Sequence, residues 1–234
     1  MKSKIPSAII LSLGLGFAGY FVGQGFLGSK LHSQSVEVKG LAERTVKSDE
    51  AVWTINFKFV NNDLSQLYEG VSKSQAEAKK FLLAEGFKEQ EIFMNPISVV
   101  DNQSVGYNQN QDIPRFSADS GITLSTQNVD LVASALQKTG SLVKQGVVVT
   151  SSNATFRFTN LNDIKRPMLE EATQNARNVA ESFAKDSQTT LGNIRHASQG
   201  LFTISDANSN YDSGYSLMKK VRIVSTIEYQ LNDK

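Results

Sequence analysis

Apolar and polar residues alternate most regularly in AVWTINFKFV, where Ala51, Trp53, Ile55, Phe57 and Phe59 share one face and Thr54, Asn56 and Lys58 the other. A period of two with one polar face predicts a sheet strand that is wet on one side. Upstream, VEVKGL sets Val36 and Val38 on one face and then reaches Gly40, where a bulge or a close backbone approach is expected. After the first strand the period lengthens. Leu64, Leu67, Val71, Ala78, Phe81 and Leu82 form a helical stripe, with Asn61, Asn62 and Asp63 as N-cap candidates and Gly86 as the stop. EIFMNPISVVD reads as a strand that Pro96 confines to an edge or a bulge, and PRFSADSGITLST as the next. A helix opens at Asn128 with a stripe of Val129, Val132, Leu136, Leu142 and Val143 interrupted by Gly140, and VVVTSSNATFRF follows as a strand with Ala154, Phe156 and Phe158 apolar. From Trp53 to Phe158 the order is β-α-β-β-α-β, the split-βαβ arrangement with two helices over one face of an antiparallel sheet.

The strongest helical signal comes next. In NDIKRPMLEEATQNARNVAESFAK (162–185), Leu169, Ala172, Ala176, Val179, Ala180, Phe183 and Ala184 recur at helical spacing, and most of that stripe is alanine. Such a face demands close approach, and the expected floor is a sheet made of Gln199–Ile204 and Val221–Leu231. Pro167 places the first regular turns between Asp163 and Pro167. HASQGLFTI and KKVRIVSTIEYQL are read as strands separated by the polar loop DANSNYDSGYS. The body is therefore predicted to be α+β, with antiparallel sheets, helices on one face and the order β-β-α-β-β-α-β-α-β-β.

At the N-terminus, residues 5–27 carry no charge over 23 positions, enough for a helix of roughly 35 Å against a hydrocarbon core of about 30 Å. Lys2 and Lys4 precede it, so the positive-inside bias puts residues 1–4 in the cytoplasm and the body outside. The expected division is a cytoplasmic n-region (1–4), a transmembrane signal anchor (5–27), a linker (28–34) and a body (35–234). This predicts a single-pass protein of the inner membrane with its C-terminal body in the periplasm; the alternative is a periplasmic protein released by signal cleavage. Ser12, Gly16, Gly19 and Gly23 form a small-residue stripe suited to helix pairing, although glycine is common in membrane spans in any case.

Composition narrows the chemistry. The balance of 24 basic and 23 acidic residues gives a net charge of +1 with no basic run, which argues against a nucleic-acid partner. The absence of cysteine removes disulfides, thiolate nucleophiles and Cys-ligated metals. His32 and His196 lack ligand spacing, and His196 reads as a half-exposed strand residue. Glu43, Asp49, Asp101, Asp130 and Asp163 sit near element ends, where caps and strand termini want carboxylates. No nucleophile elbow, P-loop or dinucleotide fingerprint is present, so no catalytic, cofactor-binding or metal-ligating residue is assigned, no cofactor is expected and the chain is read as a non-enzyme. Tyr107, Phe116, Tyr211 and Tyr215 lie in or near polar loops, and Tyr211 and Tyr215 are candidate interface residues.

The segments VEVKGLAERTVKSDEAVW, LEEATQNARNVAESFAKD followed by Leu191-Gly192, and KKVRIVSTIEYQL resemble the SIMPL-domain family of bacterial envelope proteins, over roughly Ser35 to Leu231. The chain departs from many relatives at Ser48-Asp49, where they have Pro-Asp, and at DSQTT before Leu191, where they have a glycine. The resemblance implies an α+β fold, an exported body, a tendency in at least one relative to form a ring-like homo-oligomer, and a link in bacteria to tolerance of oxidative stress. It brings no catalytic residues. Two readings stand: a membrane-anchored, self-associating scaffold supporting envelope stress tolerance, and a binding module for a small molecule or peptide of unknown identity, with loops 102–113 and 206–216 as a mobile mouth. A hydrolase assembled from scattered carboxylates and His196 is the weakest reading.

Overall fold

The structure is a computed structural model that describes residues 14–23, 34–104 and 113–233. A first helix, α1, covers 14–23. The body follows as β1 (Ser35–Lys47), β2 (Glu50–Asn61), α2 (Leu64–Ala84), β3 (Ile92–Met94), β4 (Ser98–Asp101), β5 (Phe116–Thr126), α3 (Val129–Leu136), α4 (Gly140–Lys144), β6 (Val149–Arg157), α5 (Leu161–Asp186), β7 (Thr190–Gln199), β8 (Thr203–Asp206) and β9 (Met218–Asn232). Contacts divide it into two compact units, one of Met1–Glu43, Lys165–Phe202 and Arg222–Lys234, the other of Arg44–Ile164 and Thr203–Val221. The mixed α+β class and the antiparallel sheets are as the sequence predicts. Among the described residues no helix is long and apolar enough to cross a membrane. Residues 5–13 and 24–27 of the expected anchor, Ser12 included, lie outside the described residues.

In the larger unit the sheet order is β3-β5-β2-β6, with β4 also on β5. β5 lies between β2 and β3 and is antiparallel to both, while β2 lies between β5 and β6 and is antiparallel to both. This is the split-βαβ topology. Ala51, Trp53, Ile55 and Phe57 are buried in one row, and they pack with Leu67, Val71, Phe81 and Leu82 of α2 and Val132 of α3. The Trp53 indole N–H donates to Ser152 Oγ at 2.9 Å, so the largest core side chain leaves no polar atom unpaired. Asp63 caps α2 by accepting from Gln66 N. Several details differ from expectation. The strand around Pro96 is two strands, because proline cannot continue the ladder on β5. The helix after Asn128 breaks into α3 and α4 ahead of Gly140, Leu64 is 52% exposed, and Phe158 falls beyond the end of β6.

The smaller unit is built on how closely α5 approaches its sheet. Met168, Ala172, Ala176, Ala180 and Ala184 are the buried row of the helix. A Cβ placed on Gly40 of β1 would lie 1.8 Å from the Ala172 carbonyl oxygen and 2.8 Å from Ala176 Cβ, so only glycine fits beneath the helix at that point. Ala176 and Ala180 pack with Val38 of β1 and with Ile227 and Tyr229 of β9. The floor is thus β1 and β9, in place of the expected Gln199–Ile204. That segment splits at Gly200 into β7 and β8, and β7 is exposed along nearly its whole length. Val179 and Phe183, expected on the stripe, are 41% and 53% exposed, since an alanine row four residues apart already fills the contact. Pro167 lies inside α5, whose start is Leu161 and not the 163–167 window; the segment before it is held by Asp49, which accepts from Thr159 N, Thr159 Oγ1 and Asn160 N at 2.8–2.9 Å. Ala176→Leu and Ala180→Leu are expected to overpack this contact and cost about 1–3 kcal/mol. Thermal melts check this, and an unchanged melting temperature in both variants would contradict the packing described.

Candidate functional site

The most concentrated polar chemistry among the described residues lies where β8 turns into β9. β9 alternates strictly, burying Lys219, Val221, Ile223, Ser225, Ile227 and Tyr229. The alternation therefore turns Lys219 inward at the strand's start, with an exposure of 0%. Its ammonium donates to Asp206 Oδ1 at 2.8 Å and Asp212 Oδ1 at 2.6 Å, bridging the last residue of β8 and the loop. Ser213 donates to Asp206 Oδ2 through both its N–H and its Oγ, and Asp206 N donates to the Tyr211 carbonyl. Outside this knot, Phe156 N of β6 donates to the Gly214 carbonyl at 2.6 Å, and Ser48 N donates to the Leu217 carbonyl.

The Lys219 and Ser213 hydrogen bonds hold the Asp206 carboxyl down to about 2, well below the usual carboxylate range. For Lys219 burial works toward the neutral amine, but the bonds to Asp206 and Asp212 outweigh it and its pKa stands above the ordinary lysine value. Both partners are thus charged at neutral pH. An ammonium held this way is neither nucleophile nor base, since either role needs the free amine. What it does is fasten the loop. The segment 206–216, expected to be a mobile mouth, is pinned at Asp206, Asp212, Ser213 and Gly214, and it carries Tyr211 and Tyr215 on fixed backbone with exposures of 71% and 64%.

The other candidates do not meet one another. His196 is exposed on β7 opposite Glu228, and Glu43 pairs with Arg222 at 3.5 Å. Asp49 caps the entry to α5, Asp101 pairs with Arg115, and Asp130 pairs with Lys47 at 2.5 Å. The Arg115 hydrogen bond lowers the pKa of Asp101. Asp163 lies in the first turn of α5. Phe116 opens β5 under the Arg115 guanidinium, 4.8 Å from its ring centre, and Tyr107 lies outside the described residues, as do 105–112 of the other loop. Among the described residues no three His, Asp or Glu cluster as metal ligands. Two open clefts of about 400 and 500 Å³ are lined by Glu91 and by Glu85, but Glu91 accepts from Thr126 and from Lys88 N, and Glu85 pairs with Lys138. The sequence motifs do not reveal the knot at Lys219, but one signal in the sequence does point to it: Lys219 falls in phase with Val221 and Ile223 on a strand that alternates.

The model of the family described as "SIMPL: Protein of unknown function (DUF541)" matches residues 36–225, and the chain belongs to that family. No curated protein matches the chain.

Lys219→Met is expected to cost about 3 kcal/mol, because it leaves the largely buried Asp206 carboxylate without its cation while Asp212 can turn to water. Its melting temperature and the protease sensitivity of 207–216 read this out, and a wild-type value for both would contradict the fastening role. The pH dependence has a definite sign. The Asp206 pKa is lowered on folding, so its stabilisation is fully present above the ordinary aspartate value near 4 and is lost as pH falls through about 2. Acid unfolding between those limits should be steeper in the wild type than in Asp206→Asn.

Proposed function

We propose that this member of the SIMPL family is a non-enzymatic, membrane-anchored scaffold of the periplasm that self-associates through its body and supports envelope stress tolerance. The carrying observation is β7. It ends its sheet in the order β1-β9-β7, so among the described residues one of its backbone edges has no partner strand, and its side chains are exposed on both faces. Ile194 is 48% exposed in the strand, and Leu201, just beyond it, is 88% exposed. A terminal strand with bare aliphatic residues is an aggregation hazard unless something covers it, and a second copy of the same chain is the simplest cover. The register shifts between Leu191 and His196 interrupt a full-length ladder, so the contact would be made by side chains and by the regular stretch Ala197–Gln199.

The anchor reading draws its support from the uncharged run 5–27 and from α1, whose Leu15, Phe17, Phe21 and Val22 are all exposed and would suit lipid. Gly16, Gly19 and Gly23 have open space around them on that helix, as a pairing face requires. Absence of an enzymatic role is supported by the dispersal of Glu43, Asp49, Asp101 and Asp130 into separate structural pairs, with His196 exposed on β7 away from any carboxylate cluster among the described residues. Light scattering of the full chain in detergent is expected to show an oligomer that Ile194→Lys with Leu201→Lys shifts toward monomer. A wild-type chain that stays monomeric at every concentration removes the scaffold reading.

A further inference from the structure

The two sheets differ in what they show to water. The outward face of the sheet in the smaller unit is conventional, with Glu37, Lys39 and Glu43 on β1, Arg195 on β7, and Arg222 and Glu228 on β9. The outward face of the larger unit's sheet is closed at its two ends by ion pairs, Glu50 with Arg157 at 2.8 Å and Lys58 with Asp119 at 3.4 Å. Between these pairs no charged side chain rises from β2, β5 or β6, over a length of roughly 26 Å at about 3.3 Å per residue.

Apart from Val52, what fills the band is an array of hydroxyls and amides. Thr54 and Thr123 meet at 3.3 Å, Thr123 Oγ1 donates to Asn95 Oδ1 at 3.0 Å, and Asn56 Nδ2 donates to Ser151 Oγ at 3.0 Å. These bonds orient the side chains across three strands without exhausting them, since each amide and hydroxyl keeps further donor or acceptor capacity. Gly121 keeps the centre flat. A Cβ there would come within 2.6 Å of Asn56 Oδ1 and 3.0 Å of Asn95 Nδ2, so those two amides converge over bare backbone. Phe93, which pairs with Thr123 and so shares its face, adds an aromatic ring that is 55% exposed.

We infer that this face binds an uncharged, polyhydroxylated chain, chemically an oligosaccharide. Hydroxyl groups can exchange hydrogen bonds with the Asn56, Asn95 and Thr54 array without desolvating a charge, and the C–H face of a sugar ring can stack on Phe93. A nucleic acid or anionic lipid would need lysines and arginines that the band lacks. The core of a protein interface would be richer in aromatic, Met and Arg side chains. This inference rests on the larger unit alone and does not depend on self-association.

The test is calorimetric titration of the full chain, in a detergent without a sugar headgroup, with cellotetraose, maltotetraose and tetra-N-acetylchitotetraose. At least one should bind with a Kd in the range of about 1 mM or tighter, as expected for a shallow, preorganised polar face. Phe93→Ala should weaken it about fivefold through loss of stacking, with an unchanged melting temperature because the ring is largely exposed. Asn56→Ala should weaken it also. No binding of any of the three sugars up to about 10 mM, a range set by that expected affinity, or equal binding by wild type, Phe93→Ala and Asn56→Ala, overturns the inference.

Discussion

The smaller unit depends on one contact, the approach of α5 to β1 at Gly40. A helix normally rides on a sheet at a distance set by its larger side chains, but here the Ala172 carbonyl sits where a Cβ on residue 40 would be. Each alanine contributes little buried area, so the stability of the contact comes from the number of close atom pairs along the row and not from any single residue. The same closeness explains what the helix leaves out. An alanine row that is already in contact with Val38, Ile227 and Tyr229 leaves Val179 and Phe183 at the surface and β7 uncovered. The bare strand on which the self-association proposal rests thus follows from how narrow the helix contact is.

The larger unit solves a different problem with a buried charge. Lys219 occupies a position that strand alternation would give to an aliphatic residue, and two carboxylates and a serine make that tolerable. A hydrophobic residue of similar volume could pack there, but it would not reach across to Asp206 and Asp212. The cation ties the start of the eleven-residue segment 206–216, at Asp206, to its middle, at Asp212, in a stretch with too little apolar content to pack by itself. Tyr211 and Tyr215 are consequently exposed aromatics on ordered backbone, a lower-entropy arrangement for any contact than aromatics on a free loop.

The binding features proposed for this protein all lie on its surfaces. Glu43, Asp49, Asp101 and Asp130 are held in caps and ion pairs in different places, and His196 lies exposed on β7. What remains are a terminal strand with exposed Ile194, a fixed pair of tyrosines, and an uncharged sheet face between two ion pairs. Each is suited to binding, and each takes its character from residues that the core does not need.

The sequence by itself determined the α+β class and the split-βαβ order, narrowed the α2 cap to Asn61, Asn62 or Asp63, and marked Pro96 as an edge or bulge and Gly40 as a bulge or close approach. Each of these is written in local spacing or in the conformational limits of one residue, which hold whatever the chain packs against. Family membership was legible for a similar reason, in composite segments that run nearly the length of the body. Tertiary structure decided which strands lie under α5, that Val179 and Phe183 stay outside, and that Lys219 finds Asp206 and Asp212. Periodicity tells which residues share a face but not what that face meets, and a charged residue in an apolar phase is intelligible only when its partners, distant along the chain, are brought to within hydrogen-bonding distance.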